Sequence, residues 1–414
     1  MAEIIPCDYM IIGGGIAGTT AAETIREQDA YGSIVLISSE PYPLYSRVLL
    51  PRYVRGNIAE EKVILRQLGD YEERRISLYL SETVQSLDME KREAYTNADR
   101  TFLFKKLLIA SGGHAAPWEH ARAESERVLR FQTLDDARRI ISATAAAKEK
   151  TAAVIGGGFI ALEFLELFVH KGFTTTLFAR GAYFWEHVLD ENGGRLLEEL
   201  FEIKGISVRH GAEISDIAAQ PFGLVVQTKD GRRTEAALVG VGIGLERNLF
   251  FVPAQIARGT GVLVDEELRT NIADVWAAGD VAEYRDGSTG RRRVTGNWTQ
   301  SFVQGRIAGS NMAGAHEKFH AVAAYSVKVF DTVITQVGDV EREADGKDEV
   351  VSRTDIERRR HEMFVLRDGR IIGAILVNAF AEKSTLAELI ERRTNVSSHK
   401  SSLASLDFVL ASLL

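Results

Sequence analysis

The sequence predicts an α/β fold: two open parallel-sheet units followed by a C-terminal α+β domain. Three observations predict it. A short apolar run at residues 9–12 leads into glycines at 13, 15 and 18. The same arrangement returns at residues 153–155, followed by Gly156, Gly158 and Ala161. From about residue 320 the character changes to alternating strands, with a hairpin turn at Asp368–Gly369. A chain of 414 residues has room for two or three such domains.

The first unit is the stretch from Tyr9 to Glu40. The run YMII reads as a buried strand, TTAAETIREQDA as a helix and IVLI, residues 34–37, as a second parallel strand. GxGxxG between the first strand and the helix is the arrangement that holds a dinucleotide, giving a Rossmann-like domain. Gly13 permits the tight turn, Gly15 lets backbone approach a pyrophosphate, and Gly18 lets helix and strand pack closely. The helix start adds free N–H groups and partial positive charge. Glu40, or Ser39 before it, is placed to accept hydrogen bonds from ribose hydroxyls.

Residues 41–56, PYPLYSRVLLPRYVRG, read as a loop running into a short helix, with Arg47 and Arg52 as functional candidates. Residues 57–100 read as a helix and short strands. Residues 107–110 form another buried strand that ends in small residues, Ala110, Ser111, Gly112 and Gly113, which let a strand end close against a nucleotide. Residues 133–147 read as a helix capped by Thr133, with Asp135 and Asp136 in its first turn.

The second unit then repeats the first: strand, Gly156–Gly158–Ala161, a helix from Phe159 towards His170, and a strand at 175–178. Two matched units imply two dinucleotide sites. Here the strand-end acid is missing. Ala179 stands in its place and Arg180 follows, which favours a 2′-phosphate and hence NADP over NAD. Residues 196–204 read as a helix and 206–239 as strands. Gly242 lies in a further glycine-rich strand end. Residues 275–278 form a strand ending in Gly279 and Asp280, a carboxylate placed to accept from a polyol hydroxyl. The run Arg291–Arg293 falls in an expected hairpin, and Asn297 and Trp298 open a helix to Met312. Residues 321–414 make the third domain, with a helix at 385–393.

The composition is that of an ordinary globular protein, and a net charge of −8 gives no case for nucleic acid or an anionic membrane surface. The single cysteine, Cys7, excludes an intrachain disulfide and makes a zinc cluster implausible; no metal site is read. Cys7 is read as a structural thiol ahead of the first strand. The N-terminus lacks the basic segment of a signal peptide, no stretch is long and apolar enough to span a bilayer, and a cytoplasmic location is expected.

The motifs GGGIAG (13–18), LYSRVLLPR (44–52), IASGG (109–113), GGGFIALE (156–163), GIGLERN (242–248) and TNIADVWAAGD (270–280) resemble those of the two-dinucleotide-domain flavoproteins of the pyridine nucleotide-disulfide oxidoreductase superfamily. The resemblance covers nearly the whole chain. Its branch is that of NAD(P)H:rubredoxin and ferredoxin reductases and the flavin domain of nitrite reductases. It implies FAD on residues 1–118 and 245–320, NAD(P)H on 119–244, and an interface or dimerisation domain at 321–414. It implies that Gly13, Gly15 and Gly18 face the FAD pyrophosphate, that Asp280 holds the ribityl chain, and that Arg47 and Arg52 lie beside the flavin. Arg52 departs from the family's usual Lys or His. Trp298 would lie near the flavin ring. Glu163 would sit between flavin and nicotinamide, with Phe159 and Ile160 in the same segment. Arg247 replaces a common proline, for which only a local loop change is expected.

The implied activity is transfer of electrons from NAD(P)H through FAD to a small rubredoxin- or ferredoxin-type carrier. Arg291–Arg293 or Arg358–Arg360 would supply a basic docking patch. Two other readings stand beside it. One is an NAD(P)H oxidase or a quinone or small-molecule reductase. The other is a redox-sensing, FAD-bound interaction protein. Relatives that do thiol chemistry need cysteines beside the flavin, and LYSRVLLP has none. A homodimer through 321–414 is implied by analogy alone.

Overall fold

The computed structural model describes residues 3–118, 126–221, 223–294, 296–342 and 346–414. The chain divides into two compact units. The first comprises Met1–Leu49, Ala59–His114 and Leu245–Ala321; the second comprises Leu50–Ile58, Ala115–Gly244 and Val322–Leu414.

At the centre of the first unit the strand Glu3–Ile12 pairs in parallel with Ile34–Ile37 on one side and Arg100–Ile109 on the other. Ile76–Tyr79 extends the sheet beyond Ile34–Ile37, and Val275–Ala277 joins Arg100–Ile109, both in parallel. Strands buried on both faces explain the continuous apolar runs, with Met10, Ile11, Leu36, Leu107, Leu108 and Ile109 at 0% exposure. Cys7 lies inside the first strand rather than ahead of it, because residues 3–7 also find partners at 100–104, a long-range pairing that the local sequence does not announce.

Two helices of this unit, Ile16–Gln28 and Trp298–Met312, approach very closely. A Cβ at Gly305 would overlap the backbone of Ala17, and one at Gly309 that of Ala21. Gln28 Nε2 donates to Ser310 Oγ at 2.8 Å across the same contact. Small residues on both helices therefore hold the glycine-turn helix in place.

The second unit carries a parallel sheet ordered Ile206–Arg209, Thr174–Phe178, Thr151–Ile155, Leu238–Val241, Val128–Leu129. Its helices include Leu134–Ala146, capped by Thr133 as expected, Phe159–His170 and Glu191–Ile203. An antiparallel sheet follows, ordered Ala324–Val329, Thr332–Gly338, Arg370–Val377, Arg360–Arg367, Glu349–Asp355, with the helix Lys383–Glu391 packed on it. The hairpin Arg360–Arg367 to Arg370–Val377 turns at Asp368–Gly369, both at positive φ. Side chains join the two sheets within this unit. The Phe159 ring packs edge-on against Tyr325 at 5.1 Å, and Arg342 donates to the carbonyls of Glu186 and Leu189. Among the described residues no helix is long and apolar enough to cross a membrane.

Candidate functional site

Each unit builds its own cradle from the same local physics. In the first, the strand Glu3–Ile12 ends at Gly13, whose φ of +117° turns the chain back. A Cβ at Gly13 would overlap the Ala110 carbonyl, and one at Gly18 the Gly13 carbonyl, so both glycines are required by close approach. Gly15 is the opposite case: a Cβ there meets nothing within 4 Å. Gly15 also opens the helix Ile16–Gln28 with no side-chain cap and no acidic residue in the first turn. The helix N–H groups are left for an anion, and the space in front of Gly15 is left for it to enter. The donor set fits a dinucleotide pyrophosphate.

Around this turn lie Glu40, Arg47 and Asp280. Glu40 Oε1 contacts the Arg47 guanidinium at 2.5 Å, and Tyr45 Oη donates to Glu40 Oε2 at 2.5 Å. Ser39 is exposed. Burial works against the Arg47 charge, but the Glu40 carboxylate, with Tyr45 and Asp280 behind it, holds the guanidinium above its ordinary value. Burial pushes the Asp280 carboxyl up, against the Ser301 hydrogen bond and the charges of Arg47 and Arg247. Ser301 Oγ donates to Asp280 Oδ1 at 2.9 Å, and the Gly279 N–H donates to Gln304 Oε1 at 2.8 Å. Gly279, at φ +80°, thus presents Asp280 from a turn anchored by the helix Trp298–Met312. Asn297 caps that helix by accepting from the Gln300 N–H, and Trp298 is its half-buried first residue. Ser111 and Asn248 exchange hydrogen bonds at 2.9 Å, and the Asn248 N–H donates to the carbonyl of Gly112, fixing the strand end after Ala110.

Arg247 does more than alter a loop. Its Nε donates to the Asp280 carbonyl at 3.4 Å and its charge acts on the Asp280 carboxyl.

The second cradle repeats the design. Gly156 turns at φ +126°, and its Cβ would overlap the Gly242 carbonyl. A Cβ at Gly242 would fall 2.8 Å from the Ala161 backbone nitrogen. Gly158 meets nothing within 4 Å and opens the helix Phe159–His170 without a side-chain cap or a first-turn acid. Phe159 is held between Trp185, at 4.6 Å, and Tyr325, and Ile160 is half-buried beside it. Arg180 is exposed just past the strand Thr174–Phe178, and Arg209 is exposed at the end of the neighbouring strand.

One turn into this helix stands Glu163, its side chain 16% exposed and its Oε2 without a hydrogen-bond partner among the described residues. Burial pushes its carboxyl up to about 7, with Glu166 adding to the effect and Arg55 opposing it. Arg55 lies 3.8 Å from Glu163 and in direct contact with Glu166. Arg55 and Glu166 were not singled out from the sequence. The spacing of Glu163 and Glu166 puts both on one helix face and was a usable signal; nothing local marks Arg55. Arg52, three residues earlier on the helix Leu50–Val54, is exposed; the cation near Glu163 is Arg55.

The two arginine runs are partly paired with acids. Arg293 is nearly buried 3.6 Å from Asp286, Arg358 pairs with Asp355, and Arg360 with the fully buried Glu362 at 2.5 Å. Arg292 and Arg359 remain exposed.

Residues 7–305 match the family described as pyridine nucleotide-disulphide oxidoreductase, and residues 324–394 match the rubredoxin NAD+ reductase C-terminal domain. The chain is 26% identical over 393 residues to the nitrite reductase [NAD(P)H] of Bacillus subtilis (strain 168), covering 94% of this chain but 48% of that protein. It therefore spans about half that relative's length. It is 27% identical over 403 residues to the NADH-dependent phenylglyoxylate dehydrogenase subunit epsilon of Aromatoleum evansii, covering 94% of this chain and 92% of that one. The fold superposes on the reductase of a covalent putidaredoxin reductase–putidaredoxin complex with a TM-score of 0.90, at 22% identity and over 98% of both chains.

Proposed function

The chain belongs to the pyridine nucleotide-disulphide oxidoreductase family, and from that premise we propose that it passes electrons from NAD(P)H through FAD to a small iron–sulfur or rubredoxin-type carrier protein. The observation that carries this reading is the pair of glycine turns. Each is crowded where the backbone must close and open where a phosphate must enter, and each feeds an uncapped helix free of first-turn acids.

FAD is assigned to residues 1–118 and 245–320, and NAD(P)H to 119–244. When bound, the two groups supply the chemistry: nicotinamide C4 gives a hydride and flavin N5 receives it. The N–H groups after Gly13 and Gly15 bind the flavin nucleotide's pyrophosphate. Asp280, anchored by Ser301, accepts from a ribityl hydroxyl. Glu40 or Ser39 accepts from a ribose. Arg47, held in place by its ion pair with Glu40, lies beside the ring system and favours its reduced, anionic form. Trp298 shields that ring from water. In the second unit, the turn at Gly156–Gly158 binds the nicotinamide nucleotide's pyrophosphate and Glu163 orients its reactive end. Arg180 is assigned to a 2′-phosphate, so NADPH is favoured over NADH.

Family members that exchange thiols and disulfides need cysteines at the site. The one cysteine here, Cys7, is 4% exposed in the first strand, and burial pushes its thiol up to about 12. This supports an acceptor outside disulfide chemistry. The match of residues 324–394 to a rubredoxin reductase domain supports a carrier protein, as does the partner named with the putidaredoxin reductase. We further assign a cytoplasmic location and a homodimer interface within 321–414.

The test is anaerobic stopped-flow reduction of the purified flavoprotein, with NADH and NADPH compared, followed by air and then by rubredoxins and ferredoxins. Fast bleaching of the flavin band, slow reoxidation in air and fast reoxidation by a carrier supports the proposal. Equally fast reoxidation by air would replace it with an oxidase. No bleaching with either nucleotide would overturn it.

A further inference from the structure

The second unit contains a largely buried cluster of two carboxylates and one guanidinium. Glu163 and Glu166 lie on one face of the helix Phe159–His170, and Arg55 reaches both from the segment 50–58. The three side chains are 14–17% exposed. The cation is not shared equally. Arg55 contacts Glu166 directly and stands 3.8 Å from Glu163, too far for a hydrogen bond. Glu166 also accepts the backbone N–H of Phe330 at 3.0 Å through its other oxygen. Both oxygens of Glu166 are thus satisfied, whereas Glu163 keeps an oxygen with no hydrogen-bond partner among the described residues.

One guanidinium cannot neutralise two buried carboxylates. The better hydrogen-bonded of the two keeps its charge, and the other takes up a proton. Resting on the reading of Glu163 as a residue at the nicotinamide nucleotide, we propose that Glu166 is a positioning residue: by claiming Arg55 it leaves Glu163 as a neutral acid, a hydrogen-bond donor offered to the nicotinamide. The arrangement predicts that the charge on Glu163 is set by which carboxylate Arg55 contacts.

Few other groups compete. The helix Phe159–His170 packs against Leu50–Val54, Thr151–Ile155, Thr174–Phe178, Leu238–Val241 and Ala324–Val329. The three central strands carry no ionisable side chain. Leu50–Val54 carries the exposed Arg52 and the half-buried Tyr53, and Ala324–Val329 carries Tyr325, which donates to Gln336, and the exposed Lys328. On the helix itself, His170 contacts the Arg55 carbonyl through Nε2. Beyond Phe330, Asp331 pairs with Lys204 at 2.9 Å on the surface.

The test is an infrared pH titration of the oxidised holoprotein without nucleotide, following the carbonyl band of a protonated carboxylic acid. Loss of that band in Glu163→Gln identifies it. In the wild type its midpoint is expected near 7. Glu166→Gln keeps the acceptor for the Phe330 N–H but frees Arg55 to move to Glu163, so the midpoint should fall by about one pH unit or more. Arg55→Met removes the cation from both and should raise it by about as much. Opposite movements are the signature, because a loosened structure would move both variants the same way. An unchanged midpoint in Glu166→Gln, or movement of both in one direction, overturns the proposal. Nucleotide reduction of the flavin is measured in parallel. If it fails in the wild type while the opposite movements persist, the functional reading falls and the division of Arg55 stands.

Discussion

Asp190 Oδ1 lies 3.1 Å from Nε2 of His361, an imidazole with no exposed surface. The same oxygen accepts the Gly193 N–H at 2.9 Å and caps the helix Glu191–Ile203. One carboxylate thus ties that helix to the hairpin strand Arg360–Arg367. Burial alone would raise Asp190, but the His361 imidazole in contact with it and the hydrogen bonds from Ser352 and Gly193 hold it at about 2. A depressed acid stabilises the fold fully above its ordinary value near 3.8, and the effect is lost as pH falls towards 2. Asp190→Ala is expected to destabilise the protein by about 2–4 kcal/mol at neutral pH. The deficit, read from denaturant midpoints, should shrink below pH 4. A pH-independent deficit would assign the whole effect to the helix cap.

Gly15 and Gly305 separate binding from folding. A side chain at Gly15 meets only open space, whereas one at Gly305 strikes the Ala17 backbone. Gly15→Ala is expected to leave the melting temperature of the apoprotein within about 2 °C of wild type, while the purified protein loses most of its flavin. Gly305→Ala is expected to lower apoprotein stability by about 2 kcal/mol or more. Equal stability losses in the two would contradict this division.

Arg47→Gln removes the charge that Glu40 and Asp280 both feel. The flavin should be retained but reduced about ten- to a hundredfold more slowly, with a more negative midpoint potential. An unchanged potential would place Arg47 outside the electronics of the site.

Arg180→Ala is expected to raise KM for NADPH about tenfold, with KM for NADH unchanged. Equal effects on the two nucleotides would remove the 2′-phosphate assignment.

Glu163 has the opposite linkage from Asp190. Its carboxyl is raised by burial from its ordinary 4.5 to about 7, so the native state holds the proton more tightly than the unfolded chain. Stability from this group is complete below 4.5 and is lost as pH rises through 7. Glu163→Gln should therefore be more stable than wild type at pH 9, by on the order of 2 kcal/mol, and nearly equal to it at pH 5. Thermal melts at the two pH values check the sign.

The parts legible in the sequence were those written locally. Gly13, Gly15 and Gly18 announce their turn because spacing alone defines it, and Phe159–His170 follows because its apolar residues and the glycines before it sit in one window. Asp368–Gly369 and Thr133 are local signals of the same kind. What stayed hidden is held by distant partners. Arg55 acquires meaning only beside Glu166, more than a hundred residues away. Arg293 reads as a surface charge until Asp286 folds over it, and Arg360 until Glu362 is buried beside it. Arg247 reads as a loop substitution until the turn at Asp280 closes against it.

The close contact of Gly305 and Gly309 with Ala17 and Ala21 bears on the order in which the protein forms. The helix that opens the first cradle is seated by one that emerges nearly three hundred residues later. On the ribosome, residues 115–244 are complete before that partner exists. The ends of this long excursion meet again where Gly113–Ala115 pairs with Leu245–Arg247. The first unit thus matures after much of the second has been made, through a late closure of high contact order. Until then its apolar sheet is exposed, and a flavin nucleotide arriving early would find a turn without its support.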